Sequence, residues 1–158
     1  MKEPNNKSTL VLLIEDGQIL LAMKKRGFGK GRWNGVGGKP ESDETLMQTA
    51  IRECKEEILV TPHNLHLAAM LNFYFPEAKS AWDQQVHVFT ATEWYGIPTE
   101  TAEMKPKWFK FDEIPYDVMW DDDKHWLPHI LQGKFVHASF TFDDEDKITD
   151  QELSTSRF

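Results

Sequence analysis

The stretch that decides the fold is an acidic helix preceded by a loop, and residues 38–60 read GKPESDETLMQTAIRECKEEILV. A helix turns about 100° per residue. Over 44–58 this places Glu53, Glu56 and Glu57 on one side. The apolar residues recur at helical spacing and form a separate stripe, which consists of Met47, Ile51, Cys54 and Ile58. We therefore expect the core to take one face of this helix and the carboxylates another.

Clustered carboxylates on a helix have two interpretations. Like charges at this spacing cost about 0.2–0.5 kcal/mol per pair, and a solvated acidic face would use Arg52 and Lys55 to offset that repulsion. Alternatively, oxygen ligands on a rigid element suit Mg²⁺ or Mn²⁺, which then bridge to phosphate oxygens. The helix alone leaves both interpretations open. Its start is expected to be capped by Ser42 or Asp43.

The segments before this helix predict a hairpin and a long loop. Thr9–Ile14 and Gln18–Met23 are apolar runs separated by a turn that contains Asp16-Gly17, which is a strong hairpin signal. Residues 27–38, GFGKGRWNGVGG, hold most of the nine glycines of the chain. No packed helix tolerates that density, so we expect a loop that bends sharply or closely approaches another group.

The segments after the helix predict further strands and one short helix. The helix is expected over Trp126–Gln132, with Pro128 in its first turn. Beyond Phe142 the chain is acidic and polar, and we expect it to fray. The predicted strands are Leu65–Phe75, Val86–Ala91, Trp108–Phe111 and Phe135–Phe142. The order indicates one mixed α/β (α+β) domain over 1–158, with an ordered core of about 9–142 and an acidic C-terminal tail.

Composition excludes several classes of protein. The chain has 158 residues, 40% of them hydrophobic, a net charge of −8 and one cysteine. That charge argues against a nucleic-acid polymer as partner, and a single cysteine excludes a disulfide framework. No stretch is long enough to span a membrane, and Met1–Ser8 lacks the apolar core of a signal peptide. We expect a cytoplasmic protein.

The spacing around the acidic helix resembles the Nudix box. That pattern has a glycine, five residues, Glu, seven residues, Arg-Glu, an aliphatic residue, any residue, Glu-Glu, any residue, a glycine and an aliphatic residue. Two positions depart from it, because Cys54 stands at an aliphatic position and Leu59 replaces the glycine, which leaves the end of the helix in question. The matching residues are Gly38, Glu44, Arg52, Glu53, Glu56, Glu57 and Val60.

This resemblance implies the Nudix fold, a mixed sheet sandwiched between helices, and Mg²⁺-dependent hydrolysis of a nucleoside diphosphate linked to another group, with Mn²⁺ as a substitute. A water would attack phosphorus in line with the leaving pyrophosphate, with Glu57 or Glu53 as the general base. Glu44 and Arg52 would brace the loop against the helix. We expect a monomer. The implied metal-binding and catalytic residues are Gly37, through its carbonyl, and Glu53, Glu56, Glu57 and Glu103.

The similarity extends beyond the box to the animal enzymes of this family that hydrolyse oxidised purine nucleoside triphosphates. It runs from about Thr9 to Phe142 and includes the loop of Leu20–Lys39. It implies cleavage of 8-oxo-dGTP and 2-hydroxy-dATP to monophosphate and pyrophosphate, which would sanitise the nucleotide pool and limit DNA damage. The implied substrate contacts are Thr9, Lys24, Phe28, Asn34, Gly37, Gly38, Lys39, Phe73, Trp120, Asp122, Asp123 and Trp126.

Two of these contacts, Asp122 and Asp123, could merely begin a helix. If buried, two adjacent carboxyls share a proton and offer both a donor and an acceptor to a base. Six cationic side chains also lie near the box. They either belong to a solvated loop or form a clamp for the triphosphate. These residues are Lys24, Lys25, Arg26, Lys30, Arg32 and Lys39.

Two departures keep other functions open. Gln84 and Gln85 stand where the compared enzymes have Met and Asp, and the stretch 76–83 is slightly longer. These differences bear on pocket shape and base preference, and they keep open another nucleotide substrate, such as an ordinary or methylated purine triphosphate. Leu59 weakly favours a catalytically silent binding module, whereas the intact set of three helix glutamates opposes it.

Overall fold

The computed structural model describes residues 3–157, and within that range it has two helices and ten strands. The helices are α1 (Leu46–Ile58) and α2 (Asp123–Leu131). Three short 3₁₀ segments cover Glu77–Trp82, Phe111–Glu113 and Tyr116–Val118. The strands are β1 (Lys7–Glu15), β2 (Gln18–Lys24), β3 (Trp33–Asn34), β4 (Thr61–His63), β5 (His66–Tyr74), β6 (Gln84–Ala91), β7 (Glu93–Tyr95), β8 (Met104–Lys110), β9 (Lys134–Phe142) and β10 (Ile148–Arg157).

Eight of the strands in the described range form one mixed sheet. Seven follow the order β10-β9-β5-β6-β1-β2-β3, and β8 pairs with β2 beside that path. The β1–β6 and β5–β9 pairs are parallel, and the other pairs in this sheet are antiparallel. Strands β4 and β7 form a separate two-stranded sheet. The predicted Asp16-Gly17 hairpin is confirmed between β1 and β2.

Alternation along β1 explains how one apolar run serves two cores. Val11 and Leu13 pack in the cluster that contains Cys54 of α1. Leu12 packs in the opposite cluster, which contains Trp126 of α2. Because successive side chains of a strand point to opposite faces, the sheet lies between the two helices, as predicted.

The start and the buried face of α1 differ from expectation. Thr45, not Ser42 or Asp43, caps the helix: its hydroxyl accepts the N–H of Gln48, whose side chain accepts the N–H of Thr45. The separation of faces is also incomplete, since Met47 is 39% exposed while Glu57 is only 4% exposed. The helix therefore carries one of its three carboxylates into the protein. The residues buried with it are Thr49, Ala50, Cys54 and Ile58.

Leu59 adopts the backbone that a glycine would have supplied. Its φ is 61° and its ψ is 33°, in the left-handed region. Its N–H donates to the carbonyl of Lys55 at 3.2 Å and that of Val60 to the carbonyl of Cys54 at 3.4 Å. The helix therefore ends with bonded carbonyls despite the substitution, at some conformational cost.

The C-terminal half contains two corrections. Helix α2 starts at Asp123, so Pro128 lies inside it rather than in its first turn. Residues beyond Phe142 do not fray, because Ile148–Arg157 pairs along β9 as an edge strand. Its polar composition is compatible with that position, since main-chain bonds to one neighbour do not require apolar side chains. No helix within residues 3–157 is long and apolar enough to cross a membrane.

Candidate functional site

One cavity of about 260 Å³ brings the predicted substrate contacts together. It lies where the first residues of β1 and β6 and the end of β5 meet the glycine-rich loop and the segment that leads into α2. All twelve predicted contacts line it. They are Thr9, Lys24, Phe28, Asn34, Gly37, Gly38, Lys39, Phe73, Trp120, Asp122, Asp123 and Trp126. Their assignment to substrate remains a prediction, but their proximity is a property of the fold.

Two glycines fix the contact between the loop, β1 and α1. A Cβ on Gly37 would lie 1.8 Å from the carbonyl oxygen of Thr9, and one on Gly38 would lie 2.5 Å from Cδ of Glu53. Thr9 also donates its N–H to the carbonyl of Gly38 at 2.9 Å. No Cβ fits at Gly37, and one at Gly38 would displace the Glu53 side chain, so these glycines permit the cavity to adjoin the acidic helix.

Arg52 binds the loop to the helix through several carboxylates. Its Nε and Nη2 donate to Glu44 at 2.7 and 2.9 Å, and Nη1 donates to Glu53 at 2.8 Å and to Glu56 at 3.2 Å. Its Nη2 also donates to the carbonyl of Lys39 at 3.1 Å. These hydrogen bonds from Arg52 lower the pKa of Glu44 to about 2. The pairing expected of Glu44 and Arg52 is present.

Glu57 is the buried carboxyl of the three helix glutamates. Its Oε2 is buried and has no hydrogen-bond partner within residues 3–157. Burial, a hydrogen bond with Glu53 and the charge of Glu53 raise the pKa of Glu57 to about 9. A cation beside the two touching carboxyls would offset their mutual repulsion and favour their ionised forms. The donor chemistry at Glu57 and Glu53 thus fits a hard divalent cation.

Of the other expected side-chain ligands, Glu53 contacts Glu57, whereas Glu56 and Glu103 form ion pairs with arginines. Arg26 Nη2 lies 3.2 Å from Oε1 of Glu103, which is half exposed on the loop before β8. Arg52 holds Glu53 and Glu56 from the other side. Among the described residues, no three histidine, cysteine or acidic side chains converge closely enough to hold a metal ion. Arg52 and Arg26 thus bind one oxygen of each of these three carboxylates.

Asp122 and Asp123 form a buried acidic pair on the cavity wall. They are 3% and 2% exposed. Asp122 stands at the N-cap of α2, yet its side chain makes no capping bond and instead accepts Trp126 Nε1–H at 2.6 Å. Burial raises the pKa of Asp122 to about 6. Burial and the charge of Asp122 raise the pKa of Asp123 well above its ordinary value. Burial thus favours a proton held within this pair, and Oδ2 of Asp123 has no partner in the described range.

Aromatic rings make up much of the cavity wall, and three of them were not predicted. Trp82 stacks on Phe28 with centroids 4.0 Å apart and an angle of 14°. Phe75 and Phe142 are further lining residues, whose rings stack 5.2 Å apart. The two-residue period of a strand, applied to Phe73, could have identified Phe75. Trp82 had no comparable signal in the sequence, because it lies at the end of the short 3₁₀ segment Glu77–Trp82, which has no strand or helix periodicity.

The two glutamines flagged in the sequence have different environments. Gln85 is fully buried and donates to Oδ1 of Asn72 at 2.9 Å, so it belongs to the core. Gln84 lines the cavity, where its Oε1 accepts the hydroxyl of Ser8 at 2.6 Å and its Nε2 donates to the carbonyl of Trp82 at 3.2 Å. An amide has two donors and two lone pairs. Gln84 thus keeps one donor and one acceptor for a ligand.

Three of the six cations near the box form ion pairs. Lys25 pairs with Glu100, Arg26 with Glu103, and Arg32 with Asp146. Arg32 lines the cavity although Asp146 already pairs with it, and Lys24 and Lys39 line the cavity as well. Of the six charges in the predicted clamp, these two have the best position to meet an anionic group in the cavity.

Comparisons with known proteins agree with this geometry. A family model described as the NUDIX domain matches residues 4–130. The oxidized purine nucleoside triphosphate hydrolases of Mus musculus and Danio rerio are 43% and 44% identical over 145 residues, which cover 92% of this chain and 92% of each relative. A crystal structure of a MutT mutator protein from Bacillus halodurans superimposes with a TM-score of 0.82 at 27% identity, over 94% of this chain and 97% of that chain.

Proposed function

This chain belongs to the Nudix hydrolase family, and we propose that it hydrolyses oxidised purine nucleoside triphosphates, such as 8-oxo-dGTP and 2-hydroxy-dATP, to the monophosphate and pyrophosphate. The observation that carries the proposal is the buried pair Asp122 and Asp123, in an aromatic cavity that adjoins the carboxylate helix. Two similar proteins are named for this activity.

The acidic pair would read the base. Asp123, which keeps its proton, offers a donor, and the Asp122 carboxyl offers an acceptor. Redistribution of protons within the pair would suit either oxidised guanine or oxidised adenine, whose edges differ in donors and acceptors. Stacking on an aromatic wall contributes about 1–3 kcal/mol per base in single-strand complexes, and Trp120 and Phe73 are available for it.

The carboxylates would hold a divalent cation, for which we propose Mg²⁺ or Mn²⁺. Glu53, Glu56 and Glu57, with Glu103 and the carbonyl of Gly37, are the proposed ligands. When bound, the cation supplies charge neutralisation at phosphate oxygens and favours ionisation of a water molecule. Lys24 and Lys39, which line the cavity, would bind phosphate oxygens beside them.

The chemical step follows from these positions. Water adds to phosphorus, the phosphoanhydride bond between the α- and β-phosphates breaks, and pyrophosphate leaves with the bonding electron pair. The proton of the water passes to a carboxylate, for which Glu57, with its unpartnered Oε2, is the first candidate. Arg52 would keep the neighbouring carboxylates oriented through its hydrogen bonds.

The proposed substrate also bears on the binding partner, the oligomeric state and the cellular location of this chain. Free nucleotides are small anions, and a net charge of −8 disfavours a nucleic-acid polymer as partner. We propose that the chain acts as a monomer in the cytoplasm, where it removes oxidised precursors from the nucleotide pool.

The test is pyrophosphate release from 8-oxo-dGTP and dGTP, measured side by side with Mg²⁺. We expect kcat/KM to favour 8-oxo-dGTP strongly. Comparable turnover of both would support Nudix hydrolysis but contradict a preference for the oxidised base. Gln84, which lines the cavity, would then be the residue to which we attribute the difference in base preference. Binding of nucleotide without pyrophosphate release would indicate a silent module instead.

A further inference from the structure

The turn between β9 and β10, residues 143–147, is held by its own hydrogen bonds. Oδ1 of Asp143 accepts the N–H groups of Glu145 at 2.8 Å and Lys147 at 3.0 Å. The N–H of Asp146 donates to the carbonyl of Asp143 at 3.2 Å. Asp146 has a φ of 59°, in the left-handed region that Asp and Asn tolerate better than most residues. The turn thus presents the Asp146 carboxylate from a fixed backbone.

Three elements at the rim of the cavity are bound to this turn or to the strand that follows it. Oδ2 of Asp146 accepts from Nη2 of Arg32, in the glycine-rich loop, at 3.1 Å. Nζ of Lys79 donates to the carbonyl of Asp144 at 3.4 Å, and Oδ2 of Asp121 accepts the N–H of Ile148 at 3.0 Å. The same three elements carry aromatic lining residues, namely Phe28, Trp82 and Trp120.

Arg32 connects the turn to the aromatic wall most directly. Its guanidinium carbon lies 4.0 Å from the centroid of the Trp120 ring. Its side chain and that of Asp146 are each 31% exposed, so water screens this pair only in part. A planar guanidinium can stack on an indole and donate to a carboxylate at the same time. The position of Trp120 is therefore coupled to Asp146 through one side chain.

We propose that Asp146 is a positioning residue for the nucleotide cavity: it holds the Arg32 guanidinium against the Trp120 indole and thereby sets the affinity for the purine base. The inference rests on the proposed function, because it takes the cavity to bind a base. It gives the C-terminal hairpin a role in substrate binding. It also removes Arg32 from the set of free phosphate-binding cations.

The test compares Asp146→Asn with the natural chain. Asn keeps the left-handed backbone and removes the charge. We expect KM for 8-oxo-dGTP to rise about three- to tenfold, the loss of one charge-assisted contact, with kcat within twofold. The Kd of 8-oxo-dGMP, the product, measured by calorimetry without hydrolysis, should rise by the same factor. The matched control is Asp144→Asn, an exposed residue of the same turn, which should change neither value.

A double-mutant cycle separates positioning from a general effect on the fold. In an Arg32→Gln background, Asp146→Asn should have no further effect on KM or Kd, because it acts through Arg32. An unchanged KM and Kd in Asp146→Asn, or a full additional loss in the Arg32→Gln background, would overturn the proposal. If the natural chain neither hydrolyses 8-oxo-dGTP nor binds 8-oxo-dGMP, the proposed function fails first, and this inference with it.

Discussion

Trp126 donates its indole Nε1–H to Oδ2 of Asp122 across 2.6 Å, and both residues are almost completely buried. The bond lies within the start of α2 and fixes one carboxyl of the acidic pair. Burial and the charge of Asp122 raise the pKa of Asp123, next along the chain, well above its ordinary value, which favours a proton within the pair. This arrangement gives the cavity an oriented donor and acceptor, which a pair of solvated acids at a helix start would not provide.

Asp122→Ala should weaken substrate binding. It removes the proposed acceptor for the base and leaves the Trp126 indole N–H unpaired in a buried site, a cost of about 1–3 kcal/mol. We expect KM for 8-oxo-dGTP to rise at least tenfold, with a smaller change in kcat. Asp117→Ala, which changes an exposed acid nearby, is the control in the same steady-state assay. A KM within twofold of the natural value would disprove the role of Asp122.

The acidic pair also predicts a pH dependence of stability. Burial raises the pKa of Asp122 from 3.8 to about 6, so the folded state holds this proton more tightly than the unfolded state does. Its contribution to stability is therefore lost as pH rises from about 4 to 6. The Asp122→Asn variant should not show this loss of stability, because its amide does not titrate. Urea unfolding should show the variant gaining stability relative to the natural chain from pH 4 to pH 7, and a constant difference would contradict the shift.

Glu57→Gln should separate catalysis from folding. The side chain is buried and its Oε2 has no partner among residues 3–157, so a neutral amide of the same shape suits the site. We expect kcat to fall about 100-fold or more, as for loss of a general base or metal ligand, with a melting temperature equal or higher. Glu113→Gln, at an exposed position away from Arg52, is the control. A decrease in kcat smaller than about tenfold would exclude Glu57 from the chemical step.

Gln84→Met should change which base is preferred. The amide has one donor and one acceptor left after its bonds to Ser8 and Trp82. Methionine is of similar size but has no donor and only a weak acceptor. The ratio of kcat/KM for 8-oxo-dGTP to that for 2-hydroxy-dATP should change by about threefold or more, mainly through KM. The exposed Gln151→Met serves as control. An unchanged ratio would show that Gln84 does not contact the base.

Sequence reasoning predicted six of the ten strands in the described range and part of the pocket. Apolar runs such as Thr9–Ile14 identify buried strands because their side chains must leave water on both faces. The edge strand Ile148–Arg157 escaped prediction, since its stability comes from main-chain bonds to β9 that its polar side chains do not reveal. Trp82 likewise lacked a signal, because its partner Phe28 is distant in sequence. Arg32 was predicted as one of six cations near the box, but its pairing with the distant Asp146 was not.

The family chemistry can be read from local spacing along the chain: the residues from Gly38 to Glu57 include three carboxylates and an arginine on one helix, and helical periodicity is a local property. Long-range packing, in contrast, buries Glu57 without a partner for Oε2 in the described range, and it directs Gln84 to the cavity and Gln85 to the core. Burial and pairing depend on which distant segments pack together, so adjacent residues of the same type can have opposite roles.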